Sequence, residues 1–360
     1  TADALAAYRL AAASSNRRYA AQGQLRDIAL RQRLGDLKRA DVISQLEELT
    51  TAWRGDETEA EGLQILAHLY TQEKRARDAF HVMRTALLAH PNSDLTRKIQ
   101  DEAARTFDSL FMGDAGDAMP AIEALGLFYD YRDLTPIGRR GDEMIRRLAD
   151  RLVAVDLLDQ AAELLQHQVD HRLEGAARAQ VATKLATIYL MDRKPDFALA
   201  ALQKTRVSDL AGDLRDQRLL LESRALSELG RHDMALEIIE GMKSAEAMRL
   251  RADILWNAKK WRQAGEAVEV LYGDRYKQFA PLNDQERNDI LRGAIAYSLA
   301  EDPMSLTRFR EKYAAKMMDG PDRRAFEVVA SPIGSSSKEF RDAANTVGNT
   351  GVIQAVAACA

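Results

Sequence analysis

The chain of 360 residues has one cysteine, eight prolines and only 6% aromatic residues. The single thiol, Cys359, excludes an internal disulfide framework and a zinc site made of several thiolates. Long runs rich in Val, Ile and Thr with period-two alternation are missing, so the sequence predicts no β-sheet. No stretch reaches the roughly 18–20 apolar residues that span a bilayer. These absences favour an all-α protein with no membrane span in this chain.

Charge of one sign is not concentrated in any block. The 51 basic and 55 acidic residues give a net charge of −4 and alternate along the chain. The densest basic regions hold only arginine pairs, whereas a nucleic-acid footprint needs a longer basic stripe. These pairs are Arg17 with Arg18, Arg139 with Arg140, and Arg146 with Arg147. We therefore interpret them as solvated helix faces and predict no nucleic-acid partner.

The start of the chain carries no visible signal peptide. Thr1 comes first, and no positively charged segment leads into an apolar core. We expect a processed product or a fragment of a longer polypeptide. The cytoplasm is favoured by default, and the periplasm stays open if a signal or anchor precedes Thr1. The oligomeric state is not predicted.

The main positive signal is a repeated helix–turn–helix unit. In its clearest copy, from Ala60 to Pro91, small and large apolar residues recur at helical spacing on two successive segments. A small residue stands where the two helices must touch closely. Units of this kind stack into a solenoid. The equivalent alanines of the second helices are Ala40, Ala79, Ala161, Ala198, Ala235 and Ala264.

The pattern resembles the tetratricopeptide repeat: a bulky residue, a Leu–small pair, Tyr, Ala, a bulky residue and a closing Pro. Later copies are degenerate, with Glu222 and Arg251 where Leu is expected, and a looser α-hairpin array is the alternative. The resemblance implies a right-handed α-solenoid of stacked antiparallel helix pairs. The best copy contains Leu63, Leu66, Ala67, Tyr70, Ala79, Met83, Ala86 and Pro91.

Domain boundaries follow from the repeat and its flanks. Asn283 with Glu286 is typical of a helix start, and Asp302 with Pro303 of a break before another helix. The step between Ala79 and Ala161 is about twice the others, which indicates a hidden pair. The predicted parts are a leading helix at 1–20, an array of about six to seven helix pairs at 21–272 with one degenerate pair near 92–140, capping helices at 273–330, and a linker or tail at 331–360.

No constellation predicts catalysis or metal binding. His167 and His171 have metal-ligand spacing on a predicted helix, but a HExxH pattern and a third ligand are missing. The glycine-rich segment at 113–116 does not follow a strand and lacks the lysine of a phosphate loop. We therefore predict no enzyme, no metal and no cofactor.

A binding groove is the better candidate for function. In a stacked array the first helices line the concave surface, and residues at i, i+4 and i+7 form one stripe. The resemblance implies that a partner binds there. From their chemistry, we expect the arginines of this stripe to bind acidic groups through forked hydrogen bonds and the indole to cover an apolar group. The candidate partner-binding residues are Gln64, His68, Arg146, Asp150, Thr183, Thr187, Arg224, Arg249, Asp253 and Trp256.

The sequence thus predicts a non-catalytic scaffold that holds a partner peptide or protein, with an acidic segment as its expected feature. The alternative is an accessory, substrate-presenting region of a larger enzyme or membrane-anchored assembly whose other domains lie outside this chain. A self-assembling structural array is a third hypothesis.

Overall fold

The computed structural model describes residues 2–113, 119–136, 138–318 and 320–330. Every regular element within these ranges is helical, and none is a strand. The predicted tail at 331–360 and Gly116 of the glycine-rich segment lie outside the described residues. The all-α fold class predicted from the sequence is confirmed.

Eighteen α-helices occur in the described ranges, with short 3-10 turns at Arg132–Leu134 and Arg275–Lys277. In chain order they are α1 Ala2–Ala12, α2 Arg17–Leu34, α3 Arg39–Ala52, α4 Glu57–Gln72, α5 Ala76–Ala89, α6 Asp94–Phe111, α7 Ala121–Asp130, α8 Arg139–Ala154, α9 Leu158–His171, α10 Gly175–Met191, α11 Pro195–Lys204, α12 Gly212–Glu228, α13 His232–Ile238, α14 Ala245–Asn257, α15 Trp261–Tyr272, α16 Asp284–Leu299, α17 Pro303–Met317 and α18 Arg323–Val329.

The chain divides into two compact units, Thr1–Leu164 and Leu165–Ala360, and the division falls inside α9. In the first unit α2 packs on α3 and α4 on α5, while α4 also contacts α2 and α6. In the second unit α10 packs on α11, α12 on α13 and α14 on α15, while α12 also contacts α10 and α14. First helices thus touch the first helices of adjacent pairs, as in a helical-repeat solenoid.

The predicted close-contact alanines are buried in five of six copies. Ala79, Ala161, Ala198 and Ala235 are 0% exposed and Ala264 is 2% exposed, which confirms the repeat register at these positions. The register of the first copy is wrong. Ala40 is exposed in the first turn of α3, and Val42 and Leu46 occupy the buried positions of that helix.

The hidden pair between Pro91 and Arg139 is present as α6 and α7. Aromatic rings lie on both sides of α6: the Phe80 ring of α5 and the Phe107 ring are 4.4 Å apart between centroids, and the Phe111 ring is 6.3 Å from the Phe128 ring of α7. These rings connect α6 to both flanking helices, although the repeat motif is missing here.

The leading segment is not one helix. Ser14 and Asn16 interrupt it, because short polar side chains offer the backbone alternative hydrogen bonds. The Asn16 side chain accepts from the Arg18 N–H at 3.0 Å and so starts a second helix. The prediction for residues 1–20 is corrected: α1 ends at Ala12, and α2 begins at Arg17 and continues to Leu34.

The C-terminal capping helices follow the predicted signals. Asn283 and Glu286 form a reciprocal capping box at the start of α16, with both hydrogen bonds at 2.8 Å. Asp302 accepts from the Ser305 N–H at 3.0 Å and starts α17 one residue before Pro303. A further helix, α18, follows and was not predicted.

Candidate partner-binding groove

A cavity of about 840 Å³ opens between α4 and α6, the first helices of two successive pairs in the first unit. We call it the α4–α6 groove. Gln64 and His68, both predicted to bind a partner, lie on its α4 wall. The full lining is Gln64, His68, Thr71, Gln72, Lys74, Ala76, Lys98, Asp101, Glu102, Arg105, Thr106, Ser109, Leu110 and Met119.

The α4 wall is polar and its imidazole is held on both sides. His68 Nδ1 lies 3.0 Å from Glu102 Oε1 across the groove, and its Nε2 lies 2.8 Å from the Gln72 amide nitrogen. These two contacts orient the imidazole, which links α4 to α6.

The α6 wall carries a stripe of charges that the sequence interpretation missed. Lys98, Asp101 and Arg105 are exposed and line the groove. None of the three forms a hydrogen bond or ion pair with another residue of the described ranges. The rule of i, i+4 and i+7, applied to α6, selects Lys98, Glu102 and Arg105. Because α6 and α7 lack the repeat motif, the sequence offers no reference position from which to place this stripe.

The groove contains more positive than negative charge. Three cations line it, namely Lys74, Lys98 and Arg105, against the carboxylates of Asp101 and Glu102. Glu102 is also engaged by His68. The ionised side chains of the lining, three cations and two carboxylates, therefore sum to a charge of +1.

One end of the groove is apolar. Leu110, in the last turn of α6, and Met119, which follows that helix in the chain, line this end, and both are half-buried. Ser109 and Thr106 stand on the preceding turn, and the Thr106 hydroxyl donates to the Glu102 carbonyl at 2.8 Å. A ligand thus meets charges along the middle of α6 and apolar surface at the end.

Two further predicted residues of the first unit lie on the next first helix, α8. Arg146 is half-buried and has no ion pair within the described part of the chain, and Asp150 is exposed. Neither lines the α4–α6 groove. The structure therefore does not bring them together with Gln64 and His68.

On α10 the predicted Thr183 is not available to a partner. It is 2% exposed, its hydroxyl donates to the Ala179 carbonyl at 2.7 Å and it accepts from the Arg218 guanidinium at 3.1 Å. Its placement on a binding surface is corrected, because Arg218 of α12 fills the space above it. Thr187, one turn later, is half-buried and donates to the Thr183 carbonyl at 3.1 Å.

On α12 the predicted Arg224 pairs within its own helix. Its Nε lies 3.4 Å from Glu228 Oε1, an i, i+4 pair. Burial raises the pKa of Glu228, and the Arg224 charge opposes that shift. Arg224 is therefore partly engaged but keeps a half-buried guanidinium on the surface of the second unit.

On α14 the predicted Arg249 is held by α16. Its Nε lies 3.3 Å from Asp289 Oδ2, which also accepts from the Tyr272 hydroxyl at 2.6 Å. Burial raises the pKa of Asp289, and the Tyr272 hydrogen bond and the Arg249 charge oppose that shift. This arginine ties two helices together.

Asp253 and Trp256 are held in the same way. Arg292 donates to Asp253 Oδ1 at 2.6 Å, and its guanidinium lies 5.0 Å from the Trp256 ring centroid. Trp256 also packs edge-on against Trp261, with ring centroids 5.2 Å apart. The cavity at this cluster is only about 10 Å³, room for one water molecule and not for a peptide.

The histidine pair on α9 has no further ligands around it. The rings of His167 and His171 lie 4.9 Å apart between centroids. Across the described residues, His, Cys, Asp and Glu form no group of three or more suited to a metal ion. Nor is any described helix both long and apolar enough to cross a bilayer.

No known protein-family profile and no curated protein matches the chain. Among solved structures, it is similar to a chain of the Naa15/Naa10 complex bound to HypK-THB, with 13% identity, a TM-score of 0.38, and coverage of 86% of this chain and 48% of that one. It is also similar to the P58(IPK) TPR domain, with 13% identity, a TM-score of 0.25, and coverage of 91% and 97%. The chain spans about half the length of the first. These likenesses concern the helical-repeat fold alone.

Proposed function

We propose that the chain is a non-catalytic protein-interaction scaffold that binds an acidic segment of a partner protein in the α4–α6 groove. The observation that carries the proposal is the α6 stripe. Lys98, Asp101 and Arg105 line a cavity of about 840 Å³ while they lack partners among the described residues. Elsewhere on the same unit, charged side chains such as Arg26 and Glu61 pair at 2.7 Å.

The chemistry of the walls suits binding more than catalysis. His68 is the imidazole of the groove, and both of its ring nitrogens are engaged, by Glu102 and Gln72. Catalysis by a general base requires a nitrogen within reach of the proton that it abstracts. The neighbouring amides and hydroxyls of Gln64, Gln72 and Thr71 are typical groups for orienting a peptide.

The expected energy comes from a few charge contacts. A cation that meets an acidic residue in a desolvated setting contributes roughly 1–3 kcal/mol, and under about 1 kcal/mol if it stays exposed. Removal of both Lys98 and Arg105 therefore weakens binding measurably. Folding is little affected, because both side chains are exposed.

The test is affinity capture from the source organism followed by quantitative mass spectrometry, with the full chain as bait. We compare the wild type with a Lys98→Gln, Arg105→Gln variant. The matched control is Arg97→Gln with Arg54→Gln, two exposed arginines that do not line the groove. Partners should be lost from the first variant and kept by the control. Equal capture by both variants, each with the wild-type circular dichroism, would place the interaction elsewhere.

A further inference from the structure

We propose that the partner segment is a helix whose facing side chains run acid, base, acid over two turns. This rests on the proposed function and names its ligand more closely. Lys98, Asp101 and Arg105 follow one another at i, i+3 and i+7 on the exposed face of α6. They present the charge order plus, minus, plus, and Glu102, which is bonded to His68, adds a second negative charge beside Asp101. The complementary order is therefore minus, plus, minus.

The spacing of these charges matches a second helix. Seven residues of α-helix rise by about 10.5 Å, so Lys98 and Arg105 stand about that far apart along the axis of α6. Acidic residues seven apart on a partner helix have the same rise. A basic residue three or four positions from the first acid then stands opposite Asp101. All three charge pairs then form at once between two helices that lie side by side.

Extended segments match the spacing of these charges less closely. Side chains on one face of a β-strand recur at about 6.7 Å and about 13 Å, because successive residues alternate faces. A polyproline II segment returns to the same face every third residue, at about 9.3 Å, with no residue on that face between. It therefore offers nothing opposite Asp101. The spacing of the three charges therefore favours the helix.

One end of the groove adds an apolar position to this match. Leu110 and Met119 line one end, so an apolar residue one turn beyond the second acid completes the match. The recognised sequence is acid, base, acid and then apolar.

Asp101 is the residue that makes this prediction specific. It stands four residues before Arg105, a spacing that permits an ion pair within α6, yet the two are not paired. Lys98 and Arg105 alone would accept any acidic peptide. A free carboxylate between them penalises a third acid at the centre and selects a base, which is specificity by repulsion.

The experiment is selection from a displayed library of helical peptides with wild-type full chain as bait. Four positions, i, i+3, i+4 and i+7, vary among Glu, Lys and Gln, and the positions one turn beyond each end vary between Leu and Gln, so that both peptide directions are covered. We expect enrichment of Glu at i and i+7, Lys at one central position and Leu at one end. Replacement of either outer Glu by Gln should weaken a selected peptide up to about fivefold.

The decisive bait is Asp101→Lys, which makes the whole stripe positive. The enriched central residue should change from Lys to Glu while the outer residues stay Glu. Arg97→Glu, a charge change on the same helix outside the groove, should leave the selection unaltered. An unchanged central residue with the Asp101→Lys bait overturns the inference.

Two other outcomes separate this inference from the proposed function. Peptides that lose binding to the Lys98→Gln, Arg105→Gln bait but show no charge order overturn the register and leave the groove as the binding site. Peptides whose binding is indifferent to that variant, or a library that yields no binder, overturn both. All variant baits are checked for wild-type circular dichroism and melting temperature, which exposed positions should preserve.

Discussion

At the scale of single residues, the buried Arg218 stands out. It is 6% exposed and donates to the Ala179, Leu202 and Thr205 carbonyls, at 2.7, 2.7 and 3.2 Å, and to the hydroxyls of Thr183 and Thr205. Burial lowers its pKa. Its forked donors saturate the carbonyls at the end of α11 and join three helices, a task that suits a guanidinium and not an ammonium.

We expect Arg218→Met to destabilise the protein by at least about 3 kcal/mol, since several buried acceptors lose a charged donor. Urea unfolding followed by circular dichroism measures the change. Arg215→Met is the control on the same helix, because Arg215 is exposed and makes one bond, to the Leu210 carbonyl at 3.1 Å. Similar losses for both variants would contradict this role for Arg218.

Small size at Ala198 is a second residue-scale requirement. Ala198 is 0% exposed on α11, so Ala198→Phe should overpack the contact with neighbouring helices and cost roughly 1–3 kcal/mol. A lower melting temperature than that of the wild type would show this loss of stability. Ala200→Phe, at an exposed position of the same helix, should have little effect. An unchanged melting temperature for Ala198→Phe would mean that the register of this repeat is wrong.

At the scale of elements, six helices begin at a side-chain cap, whereas others, such as α5, α11 and α15, begin without one. Asn16, Asp56, Ser93, Ser244, Asn283 and Asp302 each accept a backbone N–H of the following turn. Such caps satisfy donors that have no partner inside the helix. They also fix where one helix ends and the next begins, so they set the turns that let pairs stack.

The cap of α17 should depend on pH. Hydrogen bonds from Ser305 lower the pKa of Asp302 below its usual value near 4. A lowered folded-state pKa adds stability that is complete above the unfolded pKa and is lost as pH falls through the folded one. Asp302→Ala should therefore cost about 1 kcal/mol at pH 7 and progressively less below about pH 4.

Unfolding by urea at pH 7 and at several values below 4 tests this cap. Asp302→Asn is the control, because an asparagine caps well but does not titrate. The difference in unfolding free energy between Asp302→Asn and Asp302→Ala should be the same at every pH. If the cost of Asp302→Ala is the same at pH 3 as at pH 7, the carboxylate charge has no part in the cap.

At the scale of the whole molecule, stability is expected to be local. Helices pack on their neighbours in the chain and on the first helices of adjacent pairs. In such arrays stability is approximately a sum of repeat and nearest-neighbour contributions. A lesion in one pair should therefore open that pair and its neighbours before it affects distant ones.

Ala79→Leu should raise amide hydrogen exchange in α4, α5 and α6 and leave α14 to α16 unchanged, because Ala79 is 0% exposed inside the α4–α5 pair. Ala264→Leu should raise amide hydrogen exchange in α14 to α16 and leave α4 to α6 unchanged. Exchange measured by mass spectrometry at peptide resolution distinguishes the two. Equal acceleration in both regions for both variants would indicate one cooperative unit instead of an array.

The sequence by itself determined the helical architecture, because short-range periodicity, caps and the small contact residues act within one helix pair. It located five of six contact alanines, the two helices α6 and α7, the start of α16 and the break before α17. The predicted register of the first repeat is wrong at Ala40, where the sequence motif is weakest. These features depend on contacts between residues three to forty positions apart in the chain, and a repeated sequence pattern reflects such spacings.

Only the tertiary structure decided which polar side chains remain available to a partner. Arg249 and Asp253 fit the predicted stripe, yet Asp289 and Arg292 engage them. Lys98 and Arg105, not chosen from the sequence, line the α4–α6 groove without partners. The physical reason is that a charge pairs with whatever the next helix brings within about 4 Å. That neighbour depends on how successive pairs stack, which periodicity within one helix does not specify.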